Sequence, residues 1–209
     1  DYRHLLPPIK NQYHCAGCYS FPIVAAVEAL YAQQANNGTV YSLSEQELID
    51  CASEYMKGCQ NGSIEKGFEY IIKNGIHEEK EYRFRSKDGI SYNCTLLPSH
   101  RFKISKLVDI PGASAAQSET VKPGPVVVKL DASNWVSYKE GIFDNCGRLV
   151  NHGLLVVGRT KDYWLIRNSW GKSWGEYGHI RLAKGNTCGL CDAASYPIIA
   201  DKSSNDHNK

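Results

Sequence analysis

Eight cysteines stand in a chain of 209 residues that carries one methionine. Two pairs of them share one spacing, Cys15-Ala16-Gly17-Cys18 and Cys188-Gly189-Leu190-Cys191. Sulfur so placed does three kinds of chemistry. Four thiolates hold zinc, two neighbouring thiols cycle with a disulfide, or one thiolate attacks a carbonyl while its neighbour is tied up structurally. Disulfides with no chemistry at all are the plainest alternative, and spacing alone leaves every reading open. A nucleophilic thiol also needs a base, and the base needs a group to orient it. His152 in Asn151-His152-Gly153 and Asn168 in Arg167-Asn168-Ser169-Trp170-Gly171 lie 134 and 150 residues beyond Cys18. Taken alone, a single histidine on a strand is most simply a satisfied polar residue.

The elements that must position these groups are partly legible. Phe21 to Ala32 is nearly all apolar, with Glu28 its one charge, and a helix apolar on most sides is a buried helix. Cys18 stands just before it, where the positive end of the helix dipole favours thiolate. A redox pair belongs in a βαβ pattern; here Pro7 and Pro8 come before it and more helix after it, which weakens that reading. Leu43-Ser44-Glu45-Gln46-Glu47 reads as a helix start, with Ser44 accepting from the Glu47 N–H and the Glu47 side chain reaching back as in a capping box. Ile64 to Asn74 reads as a third helix stopped by Gly75. Pro125 to Leu130, His152 to Val157, Tyr163 to Arg167 and Gly178 to Leu182 are short, β-branched or aromatic, and broken by glycine. They read as strands of an antiparallel sheet or barrel. Helices followed by strands give an α+β class, with Lys103 to Gly124 as the crossing between the halves.

Composition bounds the function. Apolar residues make up 42% and charged residues 22%, ordinary for a globular chain. A net charge of +2 gives no argument for nucleic acid or an anionic membrane surface, and no apolar run is long enough to span a bilayer. The opening Asp1-Tyr2-Arg3-His4 is not an apolar leader, so an exported form is expected to have lost its leader or to carry it outside this sequence. Three sequons, at Asn37, Asn61 and Asn93, fit the exported reading, in which most of the cysteines form disulfides. The polar stretch 201–209 is expected to be a loose tail.

From Asp1-Tyr2-Arg3 to Ala194-Ser195-Tyr196-Pro197 the chain resembles the papain family of cysteine proteases, its cathepsin L-like branch above all. The resemblance rests on Asn11-Gln12 with Cys15-x-x-Cys18, and on Ser44-Glu45-Gln46-Glu47-Leu48-Ile49-Asp50-Cys51. It continues in Tyr138-Lys139-Glu140-Gly141-Ile142-Phe143 and Asn151-His152-Gly153. Its most specific run is Asn168-Ser169-Trp170-Gly171-Lys172-Ser173-Trp174-Gly175, which a zinc or redox module has no reason to carry. The separations of His152 and Asn168 from Cys18 match that family's.

The resemblance implies a two-lobed papain-like fold, one peptidase domain over 1–200. The helical left lobe covers roughly 10–105, and the antiparallel β-barrel right lobe 106–200 together with residues 1–9, with the cleft between them. It implies a cysteine endopeptidase that forms a thioester on Cys18, with His152 as base and acid, Asn168 orienting His152, Trp170 covering that bond, and Gln12 donating to the oxyanion. A depressed thiol pKa is likewise borrowed from the family, not read from these residues. Substrate-binding positions by resemblance are Gly62, Ser63, Ile64, Lys129, Val150, Asn151, Gly153, Trp170 and Ala193, of which Gly62 lets substrate backbone approach. The implied disulfides are Cys15–Cys59, Cys51–Cys94 and Cys146–Cys188, which leaves Cys191 unpaired and expected to be buried. Neither cofactor nor metal is expected. The implied partners are protein or peptide substrates, an inhibitory propeptide and cystatin-type inhibitors, with a monomer in a secreted, lysosomal or vacuolar setting. A glycan on Asn61 would obstruct the cleft, so that sequon is expected to be unused.

Several positions depart from the family pattern. Tyr19 follows the nucleophile where tryptophan is usual, Tyr13 and Ala16 stand where glycines are usual, and Pro22 falls in the first turn of the central helix, where proline is tolerated. Lys129 stands where an apolar residue is common; either its stem lines the pocket wall or its ammonium favours a polar or acidic P2 residue. A silent homologue acting only as a binding protein is the competing class, against which Cys18, His152, Asn168 and Gln12 all stand intact.

Overall fold

A computed structural model describes residues 1–35, 37–52, 57–95, 97–98, 101–111 and 124–199. The expected tail 201–209 and residues 112–123 of the expected crossing lie outside the described residues. Among the described residues three α-helices come first: α1 (Ser20–Gln34), α2 (Glu45–Cys51) and α3 (Ile64–Asn74). Seven strands follow: β1 (Lys106–Pro111), β2 (Val126–Leu130), β3 (Ile142–Phe143), β4 (His152–Arg159), β5 (Tyr163–Arg167), β6 (His179–Ala183) and β7 (Ala193–Ile198). They form one sheet in the order β1-β7-β2-β4-β5-β6-β3. Every neighbouring pair is antiparallel except β3 with β6, which run parallel. The expected all-antiparallel sheet is therefore corrected at one edge, and β1, β3 and β7 add to the four strands read from the sequence.

Two hydrophobic clusters explain why the central strands are apolar without interruption. Along β4, Leu154 and Val156 pack with Val126, Val128, Leu130, Trp164 and Ile166. Leu155 and Val157 pack on the opposite face with Ile23, Val24 and Val27 of α1. A strand covered on both faces has no polar side to show. Helix α1 lies against β2, β4 and β7 on one side and against α2 and α3 on the other, which accounts for its nearly continuous apolar surface.

The one charge on α1, Glu28, is buried and answered by a single ammonium. Lys10 Nζ donates to Glu28 at 2.9 Å, to Glu45 at 2.7 Å and to the Leu43 carbonyl at 2.7 Å, binding the chain ahead of Cys18 to α1 and α2. Burial, with Glu28 and Glu79 nearby, pushes the Glu45 carboxyl up to about 8 against the pull of Lys10. At the start of α2, Ser44 Oγ accepts from the Glu47 N–H at 3.0 Å, as expected. The reciprocal half of the capping box is absent. The Glu47 carboxylate instead accepts from the His77 N–H at 2.8 Å and the Tyr70 hydroxyl at 3.0 Å, since a buried carboxylate goes to the donors around it.

Residues 1–9 lie on the sheet. The Tyr2 N–H donates to the Val157 carbonyl at 2.7 Å, and Arg167 donates to the carbonyls of Pro7 and Pro8 at 2.8 and 2.9 Å. Three disulfides join Cys15 to Cys59, Cys51 to Cys94 and Cys146 to Cys188, the pairing the resemblance implies. Cys15 and Cys188 are thereby unavailable to a four-thiolate zinc site. Cys18 and Cys191 are free, the latter buried.

Candidate active site

The chain from Asn11 to Tyr19 is stitched to two distant segments. Asn11 bridges to Trp170, the Gln12 N–H donates to the Ser169 carbonyl at 2.8 Å, and the Ala16 N–H donates to the Cys59 carbonyl at 2.9 Å. The Cys15–Cys59 disulfide closes the same loop. Cys18 thus arrives at the start of α1 on a short segment tied both to the loop ahead of α3 and to the residues after β5. Pro22 is the third residue of α1, where its missing N–H costs the helix nothing.

Across the cleft, His152 opens β4 opposite Leu130. Its Nε2 lies 2.9 Å from Asn168 Oδ1, just past the end of β5. The Trp170 ring sits over the imidazole, with centroids 5.1 Å apart and planes tilted by 32°. Trp170 meets Trp174 edge-on at 5.0 Å, and Trp174 stacks on buried Trp135 at 6.2 Å. A ladder of aromatic rings therefore fixes the cover over the histidine. Asn168 Oδ1 also accepts from the Ser169 N–H at 2.8 Å, which settles the amide's orientation. Burial lowers His152 to about 4, opposed by its bond to Asn168.

Burial likewise pushes the Cys18 thiol up, while backbone N–H groups of Gly153, Cys18 and Tyr19 pull it back down. Donors aimed at a sulfur stabilise its anion and have little use for a neutral thiol. Gln12 is fixed at both ends of its amide. Nε2 donates to the Cys15 carbonyl at 2.9 Å and Oε1 accepts from Ser169 Oγ at 2.7 Å, which leaves one amide hydrogen to offer.

Cys18, His152 and Gln12 line one cleft of about 560 Å³ with Gly62, Ile64, Lys129, Val150, Asn151, Gly153 and Trp170. Asn168 stands behind His152. Two more of the expected substrate-binding residues adjoin this lining. Ser63 caps α3, its Oγ accepting from the Lys66 N–H at 3.3 Å, and Ala193 lines an adjoining hollow with Ile64, Glu65 and Lys129. Asn151 is turned to the loop after β2, accepting from the Ala132 N–H at 2.9 Å and donating to Ser133 Oγ at 2.8 Å. Asn61 lines the cleft, which fits the expectation that a glycan there would obstruct it.

The departures have specific accommodations. Tyr13 takes a left-handed φ of 49°, a conformation that favours glycine; Asn11 Oδ1 accepts its N–H at 2.8 Å, and its ring turns outward beside Lys87. Ala16 is exposed at the cleft wall. Tyr19 is buried and donates to the Gly58 carbonyl at 3.1 Å. A Cβ on Gly62 would come within 2.4 Å of the Tyr19 ring, so this glycine is required by the tyrosine in addition to any approach of substrate. Two contributors escaped the sequence reading. Ser169 was read only as part of a motif, although it locks Gln12, and Glu65 binds Lys129 at 2.5 Å. A serine next to Asn168 and a glutamate in a helix's first turn carry no local signal of those contacts.

Comparisons with known proteins agree over most of the chain. A profile of papain family cysteine proteases matches residues 1–198. Cathepsin L 1 of Paramecium tetraurelia is 40% identical over 195 residues, covering 92% of this chain and 60% of its own length. Zingipain-2 of Zingiber officinale is 37% identical, covering 91% and 90%. A crystal structure of the Carica candamarcensis cysteine protease CMS1MS2 in complex with E-64 superposes with a TM-score of 0.87 at 31% identity, covering 96% of this chain and 98% of that one. The chain spans about 60% of the length of the Paramecium relative and 56% of the thiol protease SEN102 of Hemerocallis sp.. With a family match over residues 1–198 and a cysteine and an asparagine-held histidine lining one cleft, the chain belongs to the papain family of cysteine proteases.

Proposed function

We propose that this chain is a cysteine endopeptidase of a secreted, lysosomal or vacuolar compartment, acting on extended peptide bound in the cleft. The observation that carries the reading is the 2.9 Å contact of His152 Nε2 with Asn168 Oδ1 beneath Trp170, in the cleft that Cys18 and Gln12 also line. Burial discourages a lone charge on either Cys18 or His152, so the two charges arise together, by proton transfer from sulfur to imidazole. An imidazolium near a thiolate favours each partner's charged form.

The Cys18 thiolate attacks the scissile carbonyl carbon, and the negative oxygen takes hydrogen bonds from Gln12 Nε2 and the Cys18 N–H. The C–N bond breaks as His152 gives its proton to the leaving amine, which leaves a thioester. Water then attacks the thioester and passes a proton to His152. The C–S bond breaks, the acid departs and the sulfur is regenerated. Asn168 keeps the imidazole in one plane throughout, and Trp170 keeps water from competing for their bond. The E-64 bound by the Carica candamarcensis relative supplies the test. An epoxide of that type is expected to label Cys18 with one equivalent, to lose that label in Cys18→Ser, and to abolish hydrolysis of a mixed peptide pool. An enzyme that neither labels quickly nor cleaves any peptide overturns the reading in favour of a silent homologue.

A further inference from the structure

Strand β2 presents Val126, Val128 and Leu130 to the core on one face of the sheet and Val127 to the α1 side. By the two-residue period of a strand, Lys129 shares the face of Val127. It sits at the end where the cleft opens, paired in register with Gly153, which has no side chain to shield it. A cation is therefore set in the cleft wall between Ile64 and Gly153, where the resemblance puts the pocket for a substrate's P2 side chain. The cation does not stand free. Lys129 Nζ donates to Glu65 Oε1 at 2.5 Å, while Glu65 Oε2 accepts from Ser63 Oγ at 2.5 Å.

The carboxylate is held in the first turn of α3, the end of a helix that favours negative charge. Burial pushes the Glu65 carboxyl up, but the Lys129 ammonium and the Ser63 hydroxyl together outweigh it and hold the group below its ordinary value. Lys129 lines both the cleft and the adjoining hollow, whereas Glu65 lines only the hollow. The ammonium is thus drawn to the hollow side, and the methylene stem is left along the cleft.

We propose that Glu65 determines specificity in this protease: by holding the Lys129 ammonium in the adjoining hollow it leaves a hydrocarbon wall for the P2 side chain, so that apolar P2 residues are accepted and acidic ones are not. The proposal rests on the peptidase reading. Removing the Glu65 charge frees the ammonium to swing into the cleft, where it becomes a partner for a P2 carboxylate.

The test uses peptides alike except for Leu, Gln or Glu at P2, with each enzyme's competent sites counted by titration with an E-64-type epoxide. Gln and Glu have the same shape, so their ratio reads charge alone. In the wild type, kcat/KM for P2 Glu is expected not to exceed that for P2 Gln, with P2 Leu best. In Glu65→Gln the Glu-to-Gln ratio is expected to rise about tenfold, or about 1.4 kcal/mol, in the range of a charge-assisted hydrogen bond. Glu65→Ala should show the same rise, and adding Lys129→Met should cancel it. A ratio in titrated Glu65→Gln and Glu65→Ala within twofold of the wild type overturns the proposal, as does a rise that survives Lys129→Met. A wild type that cleaves none of the peptides and does not titrate fails the peptidase reading itself, and the proposal falls with it.

Discussion

At the scale of single residues, the site is built from groups that are each constrained from more than one side. Gln12 is the clearest case. With its oxygen held by Ser169 Oγ and one N–H held by the Cys15 carbonyl, the amide has no freedom to rotate, and its remaining hydrogen points where the loop sends it. Donors fixed in advance stabilise a developing oxyanion without reorganising during the reaction. Gln12→Ala is therefore expected to lower kcat by about 10²- to 10³-fold with little change in KM, measured by steady-state hydrolysis of a peptide substrate with active sites titrated. A drop of less than threefold would show that the amide makes no contact with the oxyanion. Cys18, His152, Asn168 and Gln12 stood out in the sequence through the motifs of the family resemblance, because spacing alone left the cysteine readings open. The role of Ser169 did not, because a hydroxyl's partner is set by the folded contact of two segments 157 residues apart.

At the scale of elements, the loop ahead of α3 and the start of α1 are fitted to one another. Gly62 lies against the face of Tyr19, whose hydroxyl is anchored on Gly58. The ring is held at both ends and has nowhere to retreat. Gly62→Ala is expected to cost roughly 1–3 kcal/mol as an overpacking substitution, read by urea unfolding, and to reduce kcat/KM because Tyr19 adjoins the nucleophile. An unchanged midpoint would mean that the loop shifts without resistance. The sequence made Gly62 conspicuous only as a place where substrate backbone could approach; the tyrosine that demands it is 43 positions earlier and belongs to another element. The same limit explains the half-formed capping box. Ser44 acts within its own turn and was readable, whereas Glu47 answers to His77 and Tyr70 across the helical layer. Strands β2, β4, β5 and β6 were readable as short β-branched or aromatic segments broken by glycine. The edge strand β3 was not, being two residues long and flanked by Gly141.

At the scale of the whole molecule, the N-terminal nine residues close the sheet from outside and bring charge with them. His179 on β6 is buried, with Arg167 and Arg3 nearby, and these conditions lower its pKa to about 4, burial contributing most. A histidine in the unfolded chain takes its proton near 6.5. Between these values the unfolded chain binds a proton that the folded protein refuses, so stability falls as pH drops from 6.5 to 4 and this contribution is gone below 4. The share due to His179 is roughly 3 kcal/mol at most. His179→Gln removes it while leaving other titrating groups in place, so its melting temperature is expected to fall less steeply than the wild type's over that window. Parallel curves for the two proteins would show that His179 titrates as it does in the unfolded chain.

The central helix has a further consequence. The nucleophile stands just ahead of its first residue, Ser20, while base and orienting amide are held on β4 and just past β5, and the apolar cluster between them joins Ile23, Val24 and Val27 to Val127, Leu155 and Val157. The bonds of Asn11 and Gln12 to Trp170 and Ser169 tie the two reacting halves at one point. The rest of their alignment is inherited from the fit of a helix on a sheet, over side chains that never touch a substrate. Catalysis becomes a vernier for that seam: a slip of a fraction of an ångström in the packing, too slight to expose the core or alter the secondary structure, registers first as lost turnover.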